Sequence, residues 1–458
     1  MQVETIGKSV QRLRGVFRSG RTRPIAWRRQ QLEGLRRLLR EREAEISAAL
    51  TADLGRPALE SFSSEIGFLL LEIEHALGEL ASWLKPEPVS TPLLLQPASS
   101  WIQKEPLGVV LIIAPWNYPF GLALGPLIGA LAAGNCAIVK PSEISAASSA
   151  TMARLVPQYL DPQAVLVVEG GVPETSALLA EPLDHVFYTG SGGVGRVVMA
   201  AAARHLTPVT LELGGKSPCI VDERVDVRVA AKRIAWGKFF NAGQTCVAPD
   251  YLLVHDRVLE PLLGALTDSV RAFYGADPQA SPDYARIVSE RHFHRLVGLL
   301  GDGKLVVGGQ SDAQARYLAP TILRDVALDS AVMADEIFGP ILPVLGVRHV
   351  DEAIELVNER PKPLALYLFS NDRTVQEQVL ARTSSGGASI NHAWLHIATP
   401  RLPFGGVGAS GMGSYHGRAS FDTFTHRKSV LRKSTAVEFP PLYPPYSASQ
   451  AAWLKRLL

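Results

Sequence analysis

An α/β protein built on a doubly wound parallel sheet is the architecture this sequence predicts, and three observations carry it. Short β-branched or aromatic runs recur at Val109–Ile113, Ala137–Val139, Val165–Val168 and His185–Tyr188. Runs of this kind read as strands buried on both faces of a parallel sheet. Each is followed by a helix-capable segment rich in Ala, Leu or Gly, which gives a βαβα rhythm over roughly residues 106–208. A second alternating region runs from Thr210 to about Gly386, with strands expected at Cys219–Val221, Tyr251–Val254, Ile341–Val344 and Leu364–Phe369.

The flanking elements follow in order. Residues up to about Trp83 read as helices packed on the first region. Between Arg12 and Arg42, Leu32, Leu35, Leu38 and Leu39 fall at helical spacing while Arg36, Arg37 and Arg40 point elsewhere and glutamates intervene. That pattern is a solvated helix face rather than a transit peptide or an RNA-binding arm. Glu60–Trp83 carries Ile66, Leu69, Leu70, Ile73, Leu77 and Leu80 at the same spacing. Lys85–Pro88 and Pro92 then break the helix, and 93–105 reads as an extended excursion. Beyond Phe439, Pro440, Pro441, Pro444 and Pro445 predict an extended tail to the last residue.

Composition bounds the function. With 458 residues the chain has room for about two or three domains. A 47% hydrophobic and 20% charged mixture fills a core and excludes disorder. Lys and Arg number 46 against 44 Asp and Glu, so the formal charge of +2 offers no general attraction to nucleic acid. The apolar stretch Pro119–Gly134 falls short of the ~18 residues a spanning helix needs. Met1–Ser9 lacks the apolar core of a signal peptide. The three cysteines form no C-x-x-C pair, so a disulfide scaffold or cysteine-rich metal site is not expected and a reducing compartment fits. A soluble cytoplasmic protein without an integral membrane segment is the expectation.

Five strings carry chemistry. Gly190-Ser191-Gly192-Gly193-Val194-Gly195 matches G-x-G-x-x-G between an expected strand and an expected helix, where glycines let a pyrophosphate approach a helix N-terminus. A Gly-rich turn without a ligand is the plain alternative. The ordinary form of that motif seeks a ribose-binding acid ~20 residues on, which would be Glu212. Yet Glu212 is a single carboxylate among Leu211, Leu213, Gly214 and Gly215. Desolvation there would raise its pKa into the range of a general base, unless it is merely a surface residue at a strand end. Asn241–Pro249 sets Cys246 after small and polar residues, as an accessible nucleophile requires. Cys136 and Cys219 lie beside aliphatic runs and read as inert small hydrophobes. In Pro115-Trp116-Asn117-Tyr118-Pro119-Phe120 two prolines bracket Asn117, whose amide would serve as a preorganised oxyanion donor or belong to a structural turn. Lys140-Pro141-Ser142-Glu143 follows a strand at the sheet edge where α/β proteins bind ligands, or forms a solvated turn.

Taken together, PWNYPF, KPSE, YTGSGGVG, LELGGKSP, FNAGQTCVAP, EIFGPILPV and LPFGGVGASGMGSYHG resemble the aldehyde dehydrogenase superfamily over residues 106–426, and more loosely over the whole chain. The GSYHG segment, the YPPYS tail and the lack of an N-terminal extension make it most similar to class 3, the fatty-aldehyde and aromatic-aldehyde dehydrogenases. The resemblance implies a Rossmann-type cofactor domain from residues 1–84 and 106–208 and an α/β catalytic domain over 209–395. It further implies a small β oligomerisation element from 85–105 and 396–438, with 439–458 as a tail. It makes Cys246 the nucleophile, Glu212 the general base and Asn117 the oxyanion donor, with no metal.

For the cofactor, it implies Lys140 and Glu143 at the adenosine ribose, Glu336 and Phe338 at the nicotinamide ribose, and Gly190, Ser191, Gly192, Gly193, Val194 and Gly195 at the pyrophosphate. Trp116 and Leu213 complete the cofactor site. The ribose contacts then come from KPSE, which frees Glu212 for catalysis. The implied activity is oxidation of an aldehyde to the carboxylate through a thiohemiacetal and a thioester, with NAD preferred and NADP tolerated, in a homodimer. Gly121, Leu122 and the region of Trp394 suggest an apolar tunnel for long aliphatic, aromatic or apocarotenoid aldehydes. Two departures from the family pattern stand out: the bulky Trp394 near that tunnel, and Tyr188 and Gly192 where relatives often carry Phe and Thr. The alternatives are a nitrilase-like thiol hydrolase using Cys246, Glu212 and Lys216, and a catalytically silent binding protein.

Overall fold

The computed structural model describes residues 3–438 and 442–457. Two sheets dominate. The first has six strands in the order Gly411–Met412, Val209–Glu212, His185–Thr189, Val109–Ile113, Cys136–Lys140, Val165–Val167. All pair in parallel except Gly411–Met412, which runs antiparallel to Val209–Glu212. Val109–Ile113, Cys136–Lys140 and His185–Thr189 are buried along their whole length, which is why their sequences are continuous apolar runs rather than alternating ones. The chain steps outward from Val109–Ile113 to Cys136–Lys140 and Val165–Val167, then returns to the other side of Val109–Ile113 as His185–Thr189. That reversal leaves a crevice at the carboxyl ends of the two central strands, where doubly wound sheets bind ligands.

The second sheet has seven strands in the order Lys304–Val307, Thr321–Arg324, Ile341–Val347, Tyr251–His255, Pro218–Val221, Ala365–Phe369, Gly387–Ile390. Only Lys304–Val307 is antiparallel to its neighbour. Val209–Glu212 belongs to the first sheet, in register with His185–Thr189. The chain therefore crosses between the sheets after Glu212, through Leu213–Ser217, and not at the expected boundary near 208. Glu212 stands on that crossing.

Helix Gly121–Ala133 connects two strands of the first sheet and is apolar on every side, so nearly all of it is buried despite the internal Pro126. Gly134 closes it in the left-handed conformation, φ 90°. The helical stretch expected over Glu60–Trp83 is interrupted by a widened π-type turn at Phe62–Ile66, a distortion often found near functional sites. Glu87–Val89, Ala98–Pro106 and Thr425–Lys433 form a separate antiparallel sheet, so the excursion is a strand paired with a strand near the C-terminus.

The tail expected to be extended over 439–458 is corrected in part: Ala448–Leu457 is a helix. The prolines stop at Pro445, and Ser447 and Gln450 form a reciprocal capping box, Ser447 Oγ accepting from Gln450 N–H and Gln450 Oε1 accepting from Ser447 N–H. Residues 439–441 lie outside the described residues. Among the described residues no helix is long and apolar enough to cross a membrane, and no cluster of His, Cys, Asp or Glu is placed to hold a metal ion.

Candidate active site

Three adjacent strand ends of the first sheet deliver side chains to one place. Asn117 lies in the loop after Val109–Ile113, Thr189 ends its strand before Gly190 and Ser191, and Glu212 ends Val209–Glu212. Cys246 arrives from the other half, in the segment between helix Val227–Phe239 and strand Tyr251–His255. Asn241, Ala242 and Gly243 take left-handed backbone in succession, φ 52°, 50° and 73°. Gly243 has no alternative, because a Cβ there would overlap the carbonyl of Gly339. This reversal turns Cys246 towards the strand ends.

Cys246 is the half-buried cysteine, whereas Cys136 and Cys219 are fully buried. It lies where two cavities meet. One, of about 280 Å³, is lined mainly by apolar groups, among them Tyr118, Leu122, Trp236, Phe240, Trp394 and Phe404. Gly121, Leu122 and Trp394, the expected tunnel residues, all lie on its wall. The other, of about 320 Å³, is more polar and contains Asn117, Glu212 and Cys246 together.

The electrostatics of the trio are set by burial. Glu212 is 2% exposed, and neither carboxylate oxygen has a hydrogen-bond partner. Desolvation holds its carboxyl well above the ordinary range. The Cys246 thiol is also pushed up, first by burial and then by the carboxylates of Glu336 and Glu212. Backbone N–H groups of Cys246 and Val247 face its sulfur and act in the opposite direction. Asn117 Nδ2 donates to the carbonyl of Gln244 at 3.1 Å. An amide nitrogen carries two hydrogens, so one remains for a ligand in the cavity. The Asn117 carbonyl accepts from Asn241 Nδ2 at 3.1 Å and from Arg56 Nη2.

Of the expected cofactor residues, Trp116, Gly190, Ser191, Leu213, Glu336 and Phe338 line the second cavity. Phe338 sits edge-on to Trp116, ring centres 5.3 Å apart. Glu336 is packed so closely on Gly214 that a Cβ there has no room. Gly192, Gly193, Val194 and Gly195 form the first turn of helix Gly192–Ala203, capped by Ser191 Oγ, which accepts from Val194 N–H at 3.5 Å. Lys140 and Glu143 stand apart from the cavity at the end of Cys136–Lys140. Lys140 Nζ lies 3.6 Å from Glu143 Oε2 and donates to the Pro141 carbonyl at 2.7 Å.

These residues fit a dinucleotide. The helix start offers unpaired N–H groups to a pyrophosphate, and the buried Thr189 hydroxyl in the cavity wall has no partner of its own. Sequence reasoning missed Thr189, and also His292 and Arg295, which reach the cavity from helix Glu290–Val297. No motif marks His292 and Arg295, which only the tertiary fold brings in, whereas Thr189 stands inside the YTGSGGVG string itself. Lys216 does not line either cavity. Its Nζ is bound to Asp250 at 2.7 Å and to the carbonyls of Val332 and Asp335, so it braces the Glu336 segment and is not available to a thiol hydrolase.

A doubly wound sheet with a capped helix start at a polar cleft, and a cysteine on the wall of that cleft, is the arrangement of a nicotinamide-dependent oxidoreductase. The aldehyde dehydrogenase family model matches residues 1–430. Aldehyde dehydrogenase family 3 member A2 of Mus musculus is 52% identical over 453 residues, covering 98% of this chain and 94% of that protein. The Rattus norvegicus protein named aldehyde dehydrogenase, dimeric NADP-preferring, is 51% identical over 448 residues, covering 97% and 99%. The substrate-bound structure of Staphylococcus aureus AldH superposes with a TM-score of 0.96 at 49% identity, covering 98% of each chain. The chain belongs to the aldehyde dehydrogenase family, and it is an NAD(P)-dependent enzyme that oxidises aldehydes to carboxylic acids.

Proposed function

We propose that Cys246, Glu212 and Asn117 carry this oxidation, that the preferred aldehydes are apolar, and that NAD is favoured over NADP. The observation that supports the reading best is the position of Cys246 at the junction of the apolar and the polar cavity. An apolar aldehyde held among Leu122, Trp236 and Phe240 presents its carbonyl carbon to the Cys246 sulfur; the thiol gives up its proton to water, helped by the Cys246 and Val247 N–H groups that face the sulfur, and the thiolate adds to form a thiohemiacetal. Asn117 Nδ2–H and the Cys246 backbone N–H stabilise the oxyanion. A nicotinamide cofactor held by Trp116, Leu213, Glu336 and Phe338 in the second cavity would supply the hydride acceptor. Loss of hydride leaves a thioester on Cys246, and Glu212 takes a proton from the water that hydrolyses it. Glu212 has no competing hydrogen bond to break before doing so.

A homodimer and a cytoplasmic setting accompany the reading. The rat relative is described by its name as dimeric, and the three cysteines of this chain are all unpaired, as in a reducing compartment.

The test is the absorbance of reduced nicotinamide across a panel of aldehydes. kcat/KM should rise from short to medium and long apolar chains. Cys246→Ala should abolish turnover while cofactor binding and thermal unfolding stay close to wild type. An inactive Cys136→Ala beside an active Cys246→Ala would sink the assignment.

A further inference from the structure

We infer that Arg56 is a positioning residue for this oxidation: its guanidinium locks the Asn117 loop and the turn that delivers Cys246 into one fixed relation. The inference rests on the proposed roles of Asn117 and Cys246 and adds a residue that touches neither substrate nor cofactor cavity.

The Arg56 and Glu65 side chains form an ion pair with no solvent exposure. Burying two charges is costly, and such a pair is weak evidence for stability, because well-packed hydrophobic residues often serve as well. What apolar side chains cannot do is hold several backbone segments in register. Arg56 Nη1 donates to Glu65, Nη2 to the Asn117 carbonyl, and Nε to Asn241 Oδ1 at 3.2 Å. Its face lies over the Tyr118 ring at 4.6 Å, and the Tyr118 hydroxyl meets Thr245 Oγ1 at 2.7 Å, one residue before the cysteine. On the far side, Glu65 Oε2 accepts the N–H groups of Phe120 and Gly121 at 2.7 and 2.8 Å, so it fixes the end of the Asn117 loop. The widened turn at Phe62–Ile66 is the segment that presents Glu65.

The second loop needs such a brace. Asn241 and Ala242 hold left-handed backbone without being glycine, a conformation that persists only where the surroundings over-determine it. Asn241 is held through its side chain by Arg56, through its N–H by Glu60 Oε2 at 3.1 Å, and through Nδ2 by the Asn117 carbonyl. Arg56 is the group common to both loops. A lysine would keep the charge opposite Glu65 and lose the planar fork that serves three acceptors at once.

The experiment compares Arg56→Lys, Asn241→Gly and Asn117→Ala with wild type, in the full chain, and expresses kcat per reactive Cys246 thiol. Misplacement of a catalytic group by ~1 Å costs on the order of 100-fold. Arg56→Lys should therefore lose roughly 10- to 100-fold in kcat per thiol, with KM for aldehyde and cofactor affinity nearly unchanged. A primary deuterium isotope effect with 1-deuterio aldehyde should grow, as the steps that need Asn117 become limiting. A purely structural arginine would lower melting temperature and thiol count but leave kcat per thiol and the isotope effect alone, and that result overturns the inference. If Arg56→Lys does not fold, Asn241→Gly decides: glycine accepts the left-handed backbone and deletes the amide through which Arg56 and the carbonyls of Asn117 and Gln244 are joined. The same signature supports the brace, and wild-type kcat per thiol overturns it. Wild-type turnover in Asn117→Ala would remove the oxyanion reading itself, and the inference with it. Loss in Asn117→Ala beside normal Arg56→Lys and Asn241→Gly would overturn the inference alone.

Discussion

Cys246 and Glu212 line one cavity in which burial disfavours the ionised form of both. Burial pushes both pKa values up, and the Glu212 carboxylate raises the Cys246 thiol further. A carboxyl held above its ordinary value is protonated at acid pH and cannot accept a proton from water, so deacylation should rise with pH through a midpoint well above ~4.3, the ordinary glutamic acid value. Single-turnover thioester hydrolysis measured against pH checks this, and a midpoint near the ordinary value would mean that Glu212 is solvated or is not the base. Cys246, Glu212 and Asn117 were all legible as candidates because each stands in a local string whose neighbours betray its setting: small residues before the cysteine, leucines and glycines around the carboxylate, prolines around the amide. Arg56 and Glu65 were not legible. They lie nine residues apart among helices, and their meaning comes from Asn117 and Asn241, which are distant in sequence. The prolines around Asn117 are thus only part of what fixes it.

At the scale of elements, the strand Cys136–Lys140 ends in an ion pair that bears on cofactor choice. Burial lowers the Lys140 pKa, while Glu143 acts to raise it. On the reading that both face the adenosine ribose, Glu143 accepts from ribose hydroxyls and repels a 2′-phosphate, whereas Lys140 attracts it. Unit charges ~4 Å apart interact by about 1–4 kcal/mol between the water and protein-surface limits, so the two effects nearly cancel. Glu143→Gln removes the repulsion and keeps Lys140, so kcat/KM for NADP relative to NAD should rise. An unchanged or lower ratio would place Glu143 away from the ribose. The buried inner strands were legible from their continuous apolar runs, whereas Val209–Glu212, Lys304–Val307, Thr321–Arg324 and Gly387–Ile390 were not expected as strands. Less so were features set by single contacts: the π-type turn at Phe62–Ile66, and the helix Ala448–Leu457, whose Ser447–Gln450 capping box was hidden behind a run of prolines. The crossing after Glu212 was misplaced because Val209–Glu212 reads equally well as the start of either sheet until its pairing with His185–Thr189 is known.

In the whole molecule, the three-stranded sheet leaves Thr425–Lys433 as an unpaired edge on which Leu431 is exposed, while Val89 on the opposite edge strand and Leu93 after it are exposed too, Leu93 to 88%. Soluble proteins usually cover such an edge, and a second copy of the chain is the cover proposed here. Sedimentation at micromolar concentration should give a dimer, and a stable monomer would contradict it. In the proposed reaction a covalent bond to Cys246 divides turnover into a redox half and a hydrolytic half served by Glu212. Its most direct measurement is intact-mass analysis of Glu212→Gln, quenched after one turnover with aldehyde and oxidised cofactor. The expected result is a burst of reduced cofactor matching the active sites, an acyl group on Cys246 that persists, and steady-state turnover slowed by about 10²–10⁴-fold. Full steady-state activity with no acylated cysteine would contradict it.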